Sequence, residues 1–230
     1  GATISPLLAN VYLHYVLDLW AQQWRTRQAR GAMIMVRYAD DTVFGFQHEA
    51  DAKRFLADMR ERSMTFGLSL HPEKTRLIRF GRYAALNRRE RGLGKPETFN
   101  FLGFTLICGE KRTGGFQLYR RSRRDRMQAT LQRVKEELKR RRHEPVPAQG
   151  RWLGQVVRGF YAYHAVPTNY RALVLFRVRI TRLWRRALMR RSQRATVRWD
   201  RMVRLRDRYL PRPQIQHPWP ERRFDVMHPR

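Results

Sequence analysis

Two short apolar runs, Met33-Ile34-Met35-Val36 and Thr42-Val43-Phe44-Gly45-Phe46, flank the tetrapeptide Tyr38-Ala39-Asp40-Asp41. β-Branched and aromatic residues on both sides of a short polar break predict a β-hairpin, with adjacent carboxylates at its tip. Such a pair repels itself, and each member loses hydration on burial, so the arrangement calls for a counter-charge. Divalent cations supply one and prefer hard oxygen ligands; in phosphoryl transfer, paired metals activate the attacking oxygen and stabilise the leaving one. Asp-Asp is equally an ordinary turn dipeptide, because Asp hydrogen-bonds its own backbone. The setting favours chemistry: this acidic pair lies in an intensely basic chain.

The 230 residues carry a formal net charge of +30. Length predicts one or two domains, and a 42% apolar share is ample for a packed core rather than a disordered basic tail. One cysteine, Cys108, excludes an internal disulfide and a Cys-rich zinc site, and fits a reducing cytoplasm. No stretch approaches the apolar length of a membrane span, and no signal peptide is visible. The charge is uneven. Residues 1–80 hold 11 Lys/Arg against 8 Asp/Glu, a net of +3, and residues 81–230 hold 38 against 11, a net of +27. The excess is mostly arginine, whose planar fork suits phosphate. Nucleic acid is the expected partner, although a ribosomal-type structural protein would share this signature.

Ser5-Pro6 predicts a helix start, with Leu8, Val11, Tyr15 and Leu19 at helical spacing to about Arg27. An amphipathic helix follows over 49–66, with Ala52, Phe55, Leu56 and Met59 inward and Gly67 as its stop. Leu68 to Leu70 and Thr75 to Phe80 read as short strands around the turn His71-Pro72-Glu73-Lys74, and 81–98 as an Arg- and Gly-rich loop. Phe99 to Cys108 and Phe116 to Tyr119 read as a second hairpin. Ser122 with Asp125 resembles a capping box, heading an apolar stripe of Met127, Leu131, Val134 and Leu138. A linker holding Pro145 and Pro147 precedes helices near 151–165, 170–192 and 197–208, then a basic Pro-rich tail from 209 to 230.

In order, these segments resemble the group II intron-encoded reverse transcriptases. The resemblance rests on Gly1-Ala2-Thr3-Ile4-Ser5-Pro6-Leu7-Leu8-Ala9-Asn10, then Tyr38-Ala39-Asp40-Asp41. It continues through Gly67-Leu68-x-Leu70-x-x-x-Lys74-Thr75, Phe101-Leu102-Gly103-Phe104, and Gly159-Phe160-Tyr161-Ala162-Tyr163-His164. It implies an α+β fold: a partial right-hand polymerase palm over 1–119, an all-α thumb (the maturase domain) over 120–208, and the tail. It also implies two activities, RNA-directed DNA synthesis and support of intron RNA splicing in a bacterial cytoplasm. Its partners would be group II intron RNA, an RNA template with a DNA primer, dNTPs and target DNA, with no membrane.

Carried over by residue, Asp40 and Asp41 match metal-binding catalytic aspartates for Mg²⁺. From strand alternation we expect Asp40 to be the more direct ligand and Asp41 to depend on the turn. Tyr38 and Ala39 would shape the turn beside the primer end. Gly1, Ser5, Pro6 and Asn10 match the lining of the nucleotide and template pocket, although Ser5 and Pro6 equally serve as a helix cap. Lys74 matches a lysine that neutralises triphosphate charge or protonates pyrophosphate; the alternative is a solvated turn lysine. Gly103 suggests close backbone approach within a primer-supporting hairpin. For RNA, the best candidates are Arg120, Arg121, Arg123, Arg124, Arg140, Arg141 and Arg142. Trp152, Tyr161, Tyr163, Tyr170 and Trp184 divide between base stacking and core.

The family takes a further metal-binding aspartate from an upstream strand, and Asp18, on a helix, does not match it. The expectation is therefore a two-metal site completed by an Asp outside this chain, and a fragment that does not polymerise alone. A purely RNA-binding splicing protein, and a reverse transcriptase serving phage defence or CRISPR spacer acquisition, are the alternatives.

Overall fold

A computed structural model describes residues 4–192 and 196–220. It divides into two compact units, residues 1–79 and 80–230.

In the first unit, α1 (Ser5–Leu13), a wide π-helical turn (His14–Asp18) and α2 (Leu19–Arg27) form one continuous helix. Ile4, not Ser5, occupies the N-cap, and no side chain caps that end. Leu8, Val11 and Tyr15 are exposed, because the buried positions of this helix begin only at Val16, and Leu19 is exposed as well. Next come β1 (Met33–Tyr38) and β2 (Asp41–Phe46), the expected hairpin. Met33, Met35, Phe44 and Phe46 of one face pack against Trp24, Phe55 and Met59, with α3 (Glu49–Thr65) supplying Phe55. Gly67 ends α3 at φ 67°, a backbone state that costs glycine little. Buried Asp51 accepts hydrogen bonds from the Arg30 and Gly31 N–H groups at 2.9 and 3.2 Å, fixing the chain's entry into β1. Residues 68–70 and 75–80 are irregular rather than strands, because neither segment finds a ladder partner. The turn at His71–Lys74 forms as expected.

The second unit begins with a short helix, α4 (Ala84–Glu90), inside the segment read as a loop. The run read as one strand from Phe99 to Cys108 is two, β3 (Phe99–Phe101) and β4 (Phe104–Glu110), pairing with β5 (Phe116–Ser122) in a three-stranded antiparallel sheet. Leu102 and Gly103 form the intervening turn at φ 45° and 74°, the positive values a tight primed hairpin turn requires. The compositional boundary at 119/120 falls within β5, and the sheet belongs to the same contact unit as the helices.

Four helices follow: α5 (Arg124–Arg140), α6 (Val146–His164), α7 (Tyr170–Met189) and α8 (Trp199–Tyr209). Met127, Leu131, Val134 and Leu138 are buried as the stripe predicts, and they join Leu153, Leu173 and Trp184 in one core. Pro145 and Pro147 belong to the start of α6 rather than a separate linker; proline suits a first turn that has no N–H partner to lose. The capping box does not form. Ser122 closes β5, its N–H donating to Asn169 Oδ1 at 2.9 Å, while Asp125 pairs with Arg123. The described part of the tail returns to α6: the Gln216 and His217 N–H groups donate to the Ala165 carbonyl. Pro229 and His228 lie outside the described residues. Among the described residues no helix is long and apolar enough to cross a membrane.

Candidate active site

The register Tyr38↔Asp41 leaves Ala39 and Asp40 as a two-residue turn. Asp40 therefore lies in the turn and Asp41 opens the strand, so the dependence on the turn expected of Asp41 falls on Asp40. Along β1, Met33, Met35 and Arg37 share the core-ward face, while Ile34, Val36 and Tyr38 are exposed on the other. Asp41, paired opposite Tyr38, belongs to the outer face. Ala39 holds φ 54°, a left-handed conformation in which its Cβ crowds the following carbonyl.

Arg37 organises this tip. Its Nε and Nη2 donate to Asp18 Oδ1 and Oδ2, both at 2.7 Å, in a bidentate fork. Its Nη1 donates to Asn10 Oδ1 and to the Ala39 carbonyl, each at 2.9 Å. Hydrogen bonding to Arg37 holds the Asp18 carboxyl below its ordinary range, and the same bonds raise the guanidinium. Asp40 and Asp41 take no hydrogen bond or ion pair from any side chain among the described residues. Both are exposed.

The pair fits a divalent cation. It offers hard oxygen donors with no competing partner, and Mg²⁺ commonly uses one or two carboxylates while keeping several waters. Among the described residues no group of three or more His, Cys, Asp or Glu side chains converges. Within the first unit, Asn10 reaches the turn through Arg37. Ser5 and Pro6 are exposed on α1, Tyr38 is exposed beside Asp41, and no hydrogen bond or ion pair joins exposed Lys74 to either aspartate. Gly1 lies outside the described residues.

In the second unit, Gly103 serves its turn, with the Tyr163 ring 3.5 Å from where a Cβ would stand and the Tyr163 hydroxyl donating to the Leu102 carbonyl at 2.8 Å. The candidate arginines divide. Arg141 is committed to Glu137 at 2.7 Å and to the Trp152 face at 4.9 Å, and Arg123 to Asp125 at 2.6 Å. The Arg120 N–H donates to Thr168 Oγ1, and Arg121 stands over the Tyr119 ring. Arg124 and Arg140 are exposed, Arg140 in a long 3.4 Å contact with Glu137.

Arg142 joins residues that sequence reasoning missed. With Lys135, Lys139, Arg186 and Arg190 it rims a cleft of about 220 Å³ between α5 and α7, floored by Leu138, Leu183 and Ala187. No acid lines it. Helical spacing alone, applied to the cations rather than the apolar stripe, places Lys135, Lys139 and Arg142 on one face. Of the aromatics, Trp184 and Tyr161 are core, Trp152 is partly buried, and Tyr163 and Tyr170 are about half exposed.

Compared with known families, residues 1–106 match the model described as reverse transcriptase (RNA-dependent DNA polymerase). No curated protein matches the chain.

Proposed function

We propose that this chain is palm and thumb of a reverse transcriptase/maturase of group II intron type, copying RNA into DNA by metal-dependent nucleotidyl transfer. The observation that carries the proposal is the unpartnered Asp40–Asp41 pair at a hairpin tip, inside the segment that matches the reverse transcriptase model. Asp40 and Asp41 would hold Mg²⁺, which when bound lowers the charge barrier at the phosphoryl centre. A further carboxylate from outside the described residues would complete a two-metal set.

The chain's own groups do the rest. Exposed Tyr38 and the Ala39 backbone border the primer end. Gly1, Ser5, Pro6 and Asn10 line the nucleotide and template side, and Lys74 meets the triphosphate. Gly103 supports the primer strand through its turn. Arg120, Arg121, Arg124, Arg140 and Arg142, with the α5–α7 cleft, grip intron RNA through its phosphates. Arg123 and Arg141, already paired, hold the surface that presents them. Cys108 has no part: burial raises its thiol and the Gly81 N–H points at its sulfur, 3.2 Å away, consistent with a structural residue in a bacterial cytoplasm.

The second reading is an RNA-binding splicing protein without polymerase activity. It is favoured by the net charge of +27 over residues 81–230, which a phosphate backbone would neutralise with no need of catalysis. Supplying residues 1–230 in trans with a fingers-palm segment of a group II intron reverse transcriptase separates the two. Recovered Mg²⁺-dependent DNA synthesis on an RNA template supports the enzyme. Splicing support without synthesis supports the binder.

A further inference from the structure

Sequence reasoning set Asp18 aside, because it sits on a helix. The geometry points to a specific use for it: we propose that the wide turn His14–Asp18, Asn10 and Arg37 form a clamp that positions the Asp40–Asp41 turn and keeps its carboxylates free for the cation. The inference rests on the metal reading above for its purpose, but not for its existence.

The helix geometry comes first. Asn10 and Asp18 are eight residues apart, which in a regular α-helix leaves them roughly 80° apart around the axis. Here the Leu19 N–H bonds the His14 carbonyl five residues back, so the turn absorbs one extra residue. That brings the two side chains to within roughly 20° of one another. One guanidinium then reaches both, at 2.7 Å to Asp18 and 2.9 Å to Asn10. Without the wide turn, Arg37 would lose one of its two partners on this helix.

The second N–H of Nη1 is spent on the tip. Arg37 Nη1 bonds the Ala39 carbonyl at 2.9 Å, immediately before Asp40. This ties the strained left-handed residue of the turn to a helix that is itself seated in the core by Val16, Ala21 and Trp24. The electrostatics have equal weight. A guanidinium bonded to the carbonyl that immediately precedes two adjacent carboxylates is a candidate to pair with them and compete with a metal. Asp18 occupies its Nε and Nη2 edge instead, and among the described residues His14 Nδ1, 3.4 Å away, is the only other side chain on that carboxylate. Asp18 thus neutralises the arginine that holds the turn.

The test uses the whole 230-residue chain, with amide exchange and Mn²⁺ relaxation read residue by residue by NMR. In Arg37→Lys, which keeps the charge and loses the fork, exchange at Ala39, Asp40 and Asp41 accelerates roughly tenfold, while α3 amides around Phe55 are unchanged. In Asp18→Asn the freed guanidinium turns to the aspartates, and Mn²⁺ broadening at Asp40 and Asp41 needs roughly tenfold more metal. Asn10→Ala, which leaves the ion pair intact, gives a smaller change in the same direction and serves if either charged variant fails to fold. Unchanged exchange at residues 39–41 in the folded variants overturns the clamp. Absence of Mn²⁺ broadening at Asp40 and Asp41 in the unmodified chain overturns the metal reading instead, and leaves the exchange result to decide the clamp.

Discussion

Ala39 holds φ 54° in a two-residue turn where glycine or asparagine is the usual occupant. Replacing it by glycine removes the Cβ clash, so Ala39→Gly should raise stability by about 1 kcal/mol, measured by thermal or urea unfolding. His164 gives a second test at this scale. Burial pushes its imidazole down to about 4. Asn169 Nδ2 donates to Ser122 Oγ at 2.8 Å, which leaves the Ser122 hydroxyl proton for His164 Nδ1 at 2.9 Å, an arrangement for the neutral ring. The unfolded chain, with an ordinary value near 6.5, takes up the proton more readily. This contribution to stability is therefore complete above pH 6.5 and is lost progressively as pH drops toward 4. His164→Gln should flatten that slope in melting curves between pH 7 and 4. Residues of this kind were only partly legible. The carboxylate pair stood out because its composition is improbable between two strands. Asp18 and Arg37 did not, because their pairing needs an extra residue in a helical turn that no spacing rule anticipates.

At the scale of elements, the close approach of α8 to α6 depends on two glycines. A Cβ on Gly154 would lie 2.6 Å from the Tyr209 carbonyl oxygen, a backbone atom with little freedom to move, and one on Gly150 would strike the Tyr209 ring. Gly154→Ala should destabilise the helical unit by about 1–3 kcal/mol, seen as a lowered unfolding midpoint with unchanged helical content. Patterns that depend on local sequence were readable here: the hairpin, α3 with its Gly67 stop, and the four-residue stripe of α5 all form as expected. Patterns that depend on partners were not. Residues 68–70 and 75–80 have strand-like composition yet no neighbouring strand to complete a ladder. The apolar face of α1 repeats at helical spacing yet meets no core of its own unit. The turn at Leu102-Gly103 was hidden because a leucine at φ 45° gives no compositional signal.

For the molecule as a whole, the asymmetry of charge is the governing quantity. The α5–α7 cleft is rimmed by five cations, of which Lys139 pairs with Glu136 at 2.9 Å, a surface whose charge a polyanion would neutralise. RNA binding should weaken steeply with salt. Replacing Arg142, Arg186 and Arg190 together by glutamine should reduce the slope of log K against log salt by roughly 2, measured by filter binding or fluorescence anisotropy. A flat dependence in the unmodified protein would remove this surface from the account. From sequence alone, net charge made nucleic acid the expected partner and the expected contacts were Arg120, Arg121, Arg123, Arg124 and Arg140 to Arg142. Packing then withdrew Arg123 and Arg141 into ion pairs and added Arg186 and Arg190 from the facing helix. The central claim is that Asp40 and Asp41 hold the cation for nucleotidyl transfer. RNA-templated primer extension, with the fingers-palm segment supplied in trans and Mg²⁺ varied, tests it most directly. Asp40→Ala should abolish synthesis while RNA binding and the unfolding midpoint stay unchanged; synthesis that persists in Asp40→Ala at the unmodified rate would contradict it.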